Sequence, residues 1–396
     1  MKLGGAILAA LLLGCATGVF IDQAYPGYVP LLAPHSSSGS VDSRTLQEAV
    51  RVLQVHYFGG NLDYQKLSQG SLRGLIDSLN DPFSEYLTPD DYKKQQDRYA
   101  GRYSGVIGVY VNFQNDYPVV SGIIPGSPAQ KSGLQAQDVI VKIDGADARG
   151  IKAEQASARI RGPEGSTVTL TIRRGDSTRD VKVRRARFTS PSVLAAKLEN
   201  SVLYLRIFSF GDTTVSEFDK QLQDGLPGER GVVLDLRDNP GGFIDDAAAV
   251  ISRFVASGEA FELRDRSGAV DRRQVSGDHG AARIPLVVLV NANTASSSEI
   301  VSGSLQVHHR ASLVGLKTYG KGSVQQDYQL PDGGDLHITI RRWYLPDGSS
   351  VEKKGLKPDV EVPLAAPDDM FDVVEPGRGH AADTQLNRAL ALLGGG

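Results

Sequence analysis

GVVLDLRDNPGG (231–242) decides the fold. Its near-continuous apolar run, 231–237, reads as a strand buried on both faces, the habit of strands in a sheet covered by helices. The run breaks at Asn239-Pro240-Gly241-Gly242, and a helical pattern follows over 245–255. Glycines at such a turn let main-chain N–H groups point at a bound oxyanion, and the N-terminus of the following helix adds positive potential. Taken alone, the block favours an ordinary strand-to-helix turn.

Working outward, the same alternation continues. Strand 202–208 precedes helix 215–222, and LVVLV (286–290) is a second buried strand before helix 298–308. Residues 189–365 are therefore expected to form an α/β core, a sheet covered by helices. Upstream, 101–188 changes to short strands and glycine turns. Strands are expected over 106–113, 119–124, 138–145, 166–172 and 179–183, with helices in 125–134 and 151–160. Further upstream, Val41, Leu46, Val50, Leu53 and Tyr57 recur at helical spacing, as do Leu67, Leu72, Leu75, Ile76 and Leu79. Asn80-Asp81-Pro82 breaks that pattern, and Thr88-Pro89-Asp90-Asp91 starts a capped helix. Residues 41–100 read as an N-terminal helical collar without chemistry. At the other end, 366–396 reads as an acidic linker and an amphipathic helix near 385–393. The whole is a multidomain α+β chain, in keeping with 396 residues and a prior of roughly 150 residues per domain.

Composition narrows the function. Forty-three basic and 46 acidic residues leave a net charge of −3, so no basic footprint marks a nucleic-acid partner. The single cysteine, Cys15, excludes an internal disulfide and a thiolate zinc site, and the seven histidines are scattered with no HExxH. No metal or other cofactor is expected. The uncharged run 3–21 reads as a signal peptide or membrane anchor, and 22–40, with PGYVPLLAPHSSSGS (26–40), as a linker. Leu12-Leu13-Gly14-Cys15 is similar to a lipidation box, but the chain stays apolar through Phe20, which favours an uncleaved anchor. Either reading puts the rest outside the cytoplasm.

Two further blocks carry candidate chemistry. VVLVNANTASSSEI (287–300) delivers Thr294, Ser296, Ser297 and Ser298 from a buried strand to the start of a helix. A hydroxyl held beside unpaired N–H groups suits a nucleophile, although such a cluster is more often plain helix capping. GLKTYGKGSVQQ (315–326) sets Lys321 between two glycines. A lysine serves as general base only when burial lowers its pKa from about 10.4. Gln325, on the same face if the segment is extended, is placed to hold the amine toward the serine. The phosphate-loop motif fails because Gly322 follows the lysine.

In combination these blocks resemble the C-terminal processing (tail-specific) peptidase family, with a Ser-Lys dyad and a PDZ domain. Leu234 to Gly242 carries the family's LDLRxNPGG turn, Thr294 to Glu299 its nucleophile block, and Thr318 to Gln325 its TxGKGxVQ block. RRWYLPDGSSVEKKGLKPDVEV (341–362) resembles its closing strand, and DPFSEYL (81–87) the region before its PDZ domain. Segment 101–188 closely resembles a bacterial-type PDZ domain, from SGVIGVYV (104–111) through GSPAQKSGL (126–134) to RGPEGSTVTLTI (161–172).

The resemblance implies a ClpP/crotonase-like core, Ser296 as nucleophile, Lys321 as base and Gln325 as its partner. The oxyanion hole falls to Gly242 and the N–H of Ser297, and Ser298 looks like a helix-capping residue. Substrates would be proteins with apolar C-termini, their tails bound at Gly105, Val106, Ile107 and Gly108, with an empty PDZ domain blocking the peptidase. A homo-oligomer or an adaptor is compatible with this reading, and none of these residues specifies either. A histidine triad is disfavoured because His308 and His309 lie well into the helix after the serines. PDZ-bearing chymotrypsin-like proteases are disfavoured by the absence of GNSGG. The rival from another class is a catalytically inactive PDZ scaffold or adaptor for envelope proteins.

Overall fold

Short alternating strands before residue 190 and long apolar runs after it fold into separate sheets with separate cores in the computed structural model. It describes residues 41–394 apart from 136, 278–279, 367–368, 375–376 and 378. The leader or anchor, the linker and Cys15 lie outside the described residues. Among the described residues no helix is long and apolar enough to cross a membrane.

The chain divides after Ser68. In the first unit the described part is helix α1 (Ser43–His56) and the first turn of α2 (Tyr64–Asp77). Asp42 caps α1, its carboxylate accepting from the N–H groups of Arg44 and Thr45.

The second unit opens with a correction. Residues 81–87 leave the helical pattern and end in strand β1 (Glu85–Leu87), which pairs with the longest strand among the described residues, given below. Thr88 then caps helix α3 (Pro89–Tyr99) by accepting from the N–H of Asp91, as the sequence predicts.

Next come β2 (Arg102–Val106), β3 (Val109–Gln114), β4 (Tyr117–Ile123), α4 (Pro128–Lys131), β5 (Val139–Ile143), β6 (Ala146–Asp147), α5 (Ala153–Ile160), β7 (Thr167–Arg174), β8 (Ser177–Arg184) and β9 (Ala186–Thr189). Five form an antiparallel sheet in the order β3-β4-β5-β7-β8, with β6 on β5, while β2 and β9 form a ribbon. Ile107, Val120, Ile140, Leu170 and Val183 fill its core. The expected strand 106–113 is two strands. Gly108 sits at φ +85°, where a Cβ would stand 2.2 Å from the Cβ of Ser127, so the chain turns there instead of running straight.

The remainder comprises β10 (Val193–Leu198), β11 (Val202–Ile207), α6 (Thr214–Gly225), β12 (Gly231–Asp235), α7 (Ile244–Phe254), β13 (Glu259–Asp265), β14 (Val270–Gln274), β15 (Leu286–Val290), α8 (Ser297–Val307), β16 (Ser312–Gly315), β17 (Ser323–Gln329), β18 (Asp335–Tyr344), β19 (Val360–Glu361) and α9 (Thr384–Gly394). The main sheet runs β10-β11-β12-β15-β16-β19, parallel except for β10. Every residue of β12 and β15 is buried. Leu234 and Val288 face one core with Ile300 and Phe254. Val233 and Leu289 face the other, with Phe371 and Leu386. Each such side chain contributes about 1.5–3 kcal/mol of burial. A second sheet, β1-β18-β13-β14 with β17 on β18, stands apart from this one.

Arg237, just past β12, is fully buried with Asp235 and Asp383. Its guanidinium donates to both carboxylates and to Gln385 Oε1, and the Tyr204 hydroxyl donates to Asp235 at 2.5 Å. The end of β12 is thereby tied to the chain just before α9. Burial would lower the arginine pKa, but the two carboxylates outweigh it and hold the group well above its ordinary value.

Candidate active site

Parallel strands β12, β15 and β16 lie side by side, so their C-terminal ends open onto one edge, where α/β sheets place their sites. The three loops that leave this edge are stitched together. Thr294 Oγ1 donates to the Leu236 carbonyl at 2.8 Å, and Ala295 N–H to Asn239 O at 3.0 Å. Tyr319 N–H donates to Thr294 O at 3.0 Å.

The three adjacent serines separate by what their hydroxyls do. Ser297 Oγ donates to Gly242 O at 2.8 Å and Ser298 Oγ to Asn239 O at 3.1 Å. Ser298 therefore ties the helix to the glycine turn and caps nothing, because the N-cap position belongs to Ser296. Ser296 and Glu299 form a capping box, the serine side chain facing the Glu299 N–H, and among the described residues the Ser296 hydroxyl donates to no acceptor. Ser296 is 8% exposed, and its φ of 56° is one that serine rarely adopts. Such a backbone costs about 1–3 kcal/mol and is kept where surrounding structure enforces it.

The glycine turn presses on this serine. The Gly241 N–H is occupied by Asn239 Oδ1 at 2.9 Å. At Gly242, φ is +142° and a Cβ would stand 1.8 Å from Phe210 O, so no other residue fits. Among the described residues neither the Gly242 N–H nor the Ser297 N–H has an acceptor.

Glu299, to which the sequence alone assigns no role, joins the serine and lysine loops. Its buried carboxylate accepts from Ser296 N–H at 3.0 Å and from Lys321 N–H at 2.9 Å on one oxygen. The other oxygen accepts from Thr318 Oγ1 at 2.6 Å and Gly320 N–H at 2.8 Å. Burial raises its pKa, against the pull of these donors. All four partners are donors, which calls for the ionised acceptor. The backbones of Ser296 and Lys321 are thus held on a shared oxygen, two hydrogen-bond lengths apart. Serine and glutamate three residues on is the ordinary capping-box spelling, which is why the signal passes for helix capping.

Lys321 is partly buried, and its Nζ lies 4.8 Å above the Phe83 ring. Burial pulls its pKa below the ordinary lysine value, against the opposing fields of Asp81, Glu352 and Glu85. Trp343 Nε1 donates to the Lys321 carbonyl at 2.9 Å and fixes that backbone. Gln325, expected to steer the amine, gives its amide nitrogen to Ser323 Oγ at 3.0 Å and Thr339 Oγ1 at 2.9 Å, and among the described residues it makes no bond to Lys321. A bulge between Val324 and Gln325 shifts its register on β18. Lys317 is exposed. His308 lies at the far end of α8, against Glu259 O at 2.7 Å.

At the end of β2 and in the turn into β3, the carbonyls of Gly105, Ile107 and Gly108 accept from Gly162, Ala129 and Ile124. The N–H groups of Ile107 and Gly108 have no acceptor among the described residues. Val106 pairs with Ala186, and β3 is an edge strand.

The chain matches the model of peptidase family S41 over residues 201–362 and that of the PDZ domain over 119–174. It is 32% identical over 361 residues to a CtpA-like serine protease of Staphylococcus aureus (strain MSSA476), covering 90% of this chain and 71% of that one. Among solved structures, the photosystem II D1 C-terminal processing protease matches with a TM-score of 0.58 at 26% identity, covering 90% of this chain and 94% of that one. An S41 protease from Bacteroides fragilis NCTC 9343 shares the fold, with a TM-score of 0.57 at 19% identity over 91% of this chain and 98% of that one.

Proposed function

We propose that this chain, which belongs to peptidase family S41 and is a PDZ-containing serine peptidase of the C-terminal processing type, cuts protein tails with a Ser296–Lys321 dyad. Ser296 Oγ attacks the scissile carbonyl while neutral Lys321 takes its proton and passes it to the leaving amine. The oxyanion is received by the N–H groups of Gly242 and Ser297, and water then hydrolyses the ester. The observation that carries this reading is the shared Glu299 carboxylate, which fixes the backbones of serine and lysine to each other. The Ser296 hydroxyl, which donates to no acceptor among the described residues, and the two unpaired N–H groups support it. Gln325 would act on Lys321 through its amide oxygen, its nitrogen being held by Ser323 and Thr339.

The PDZ domain would select substrates by their last residues. The N–H groups of Ile107 and Gly108 would receive the terminal carboxylate, with the peptide adding along the open edge of β3 and α5 as the opposite wall. Tail binding would release the peptidase from its empty PDZ domain. The leader 3–21 would place the enzyme outside the cytoplasm, where exposed tails of envelope proteins are its substrates.

One unstructured substrate ending in Ala or Val, offered as free acid, as amide and with a terminal Asp, tests this. Rapid cleavage of the free acid alone is expected, and none by Ser296→Ala. Equal rates on all three would remove tail selection, and activity in Ser296→Ala would remove the dyad.

A further inference from the structure

We infer that Phe83 and Asp81 form a counter-site for Lys321, positioning its amine and stabilising the ammonium it becomes when it takes the proton from Ser296. The inference rests on the Ser296–Lys321 reading and extends it to a segment that the sequence presents as a bland collar.

The Phe83 ring centroid lies 4.8 Å from Lys321 Nζ. Among the described residues the amine has no ion pair. Asp81 shapes the approach: its Oδ1 accepts from Phe83 N–H at 3.1 Å and its Oδ2 from Ser84 Oγ at 2.6 Å. Ser84 Oγ in turn accepts from Thr339 N–H at 3.0 Å, and Thr339 Oγ1 from Gln325 at 2.9 Å. Three residues of pairing follow, from Glu85 opposite His337 to Leu87 opposite Asp335. The hook at 81–84 is thus closed on itself by Asp81 and fastened to β18 through Ser84 and the strand that follows.

The chemistry explains why a ring stands there. A base that must be neutral before the reaction and charged during it needs a partner that responds to charge without imposing it. A carboxylate in contact would hold the amine protonated throughout. An aromatic face attracts a cation much less strongly, so it favours the charged transition state more than it blocks the neutral ground state. The carboxylates that act on the amine are Asp81 and Glu85 from the hook and β1, and Glu352 from the turn after β18. The proton moves from Ser296 Oγ to Lys321 Nζ and on to the leaving amine; Phe83 and Asp81 neither gain nor lose one.

The test is the pH dependence of kcat/KM for the full chain and for Phe83→Leu, Phe83→Trp, Asp81→Asn and Lys321→Ala, with a thermal melt of each. Phe83 is partly buried, and leucine keeps its apolar bulk. Loss of the ring should move the alkaline-rising midpoint down by about half a unit to one unit and lower the plateau roughly 3- to 30-fold. Trp should hold the midpoint at or above the parent, and Asp81→Asn should move it down. An unmoved or raised midpoint in both Phe83→Leu and Asp81→Asn, with Lys321→Ala inactive, overturns the counter-site and leaves the dyad standing. Activity in Lys321→Ala overturns both.

Discussion

Arg237 and Lys321 are two cations of the same α/β core, withdrawn from water at the ends of neighbouring loops, and their surroundings are opposite. Arg237 has two carboxylates, a glutamine and a fully enclosed site, and its charge is held permanently. Lys321 has an aromatic face, distant carboxylates and a lowered pKa. A buried charge with every partner supplied is architecture. One left short of partners is poised to change its protonation state, which is what a general base requires.

The largest effect expected from breaking this contrast is on turnover. Ser296→Ala and Lys321→Ala should each lower kcat by about 10⁴ or more, with the double variant little worse, because the pair acts as a unit. Lys317→Ala should match the parent. In the parent, kcat/KM should climb with pH as Lys321 loses its proton, through a midpoint below the ~10.4 of free lysine. A rate that falls between about pH 6 and 8 while the protein stays folded would sink a lysine base.

Arg237→Met should do the converse, harming stability more than chemistry. It strands Asp235 and Asp383 in the core and should cost about 3–5 kcal/mol in a denaturant melt. A variant that melts like the parent would mean the network is not structural.

Glu299→Gln comes next. Its amide nitrogen must face at least one of the donors that the carboxylate accepts, at a cost of about 1–3 kcal/mol. Activity should fall with it, and an unchanged kcat at full stability would show that serine and lysine need no common anchor.

The smallest effect sharpens the comparison with a third buried charge. Asp335 is fully buried, neither of its carboxylate oxygens has a partner among the described residues, and burial, with Asp327 adding, pushes its pKa up to about 6. The folded form binds this proton more tightly than the unfolded one, so its ionisation costs stability as pH rises from about 4 through 6. Asp335→Asn should stabilise by about 1–2 kcal/mol at pH 7.5 and by little near pH 4. A destabilised variant at pH 7.5 would contradict the assignment.

Much of this arrangement was legible in the sequence where one signal acted alone. The strands β12 and β15 are unbroken apolar runs with both faces buried, and nothing competes with that reading. The second sheet was not legible. Strands such as β14 (VDRRQ) and β17 (SVQQDYQ) are half exposed and rich in charge and amide, so their alternation is faint. Its pairing of β1 with β18 spans some 250 residues, as the Thr339–Ser84 bond shows at a separation of 255. Ser296 and Lys321 were visible as residue types at loop ends. Glu299 and Phe83 were not, since one reads as a cap and the other as a collar residue until the fold sets both on the lysine loop.

The Arg237–Asp383 pair also bears on the order in which this enzyme is made. The two residues are 146 positions apart. While the polypeptide is being synthesised, the strand leading to the glycine turn emerges with its arginine and Asp235 in hand but with the second carboxylate not yet built. The segment beneath the glycine turn therefore reaches electrostatic completeness only once synthesis has passed Asp383.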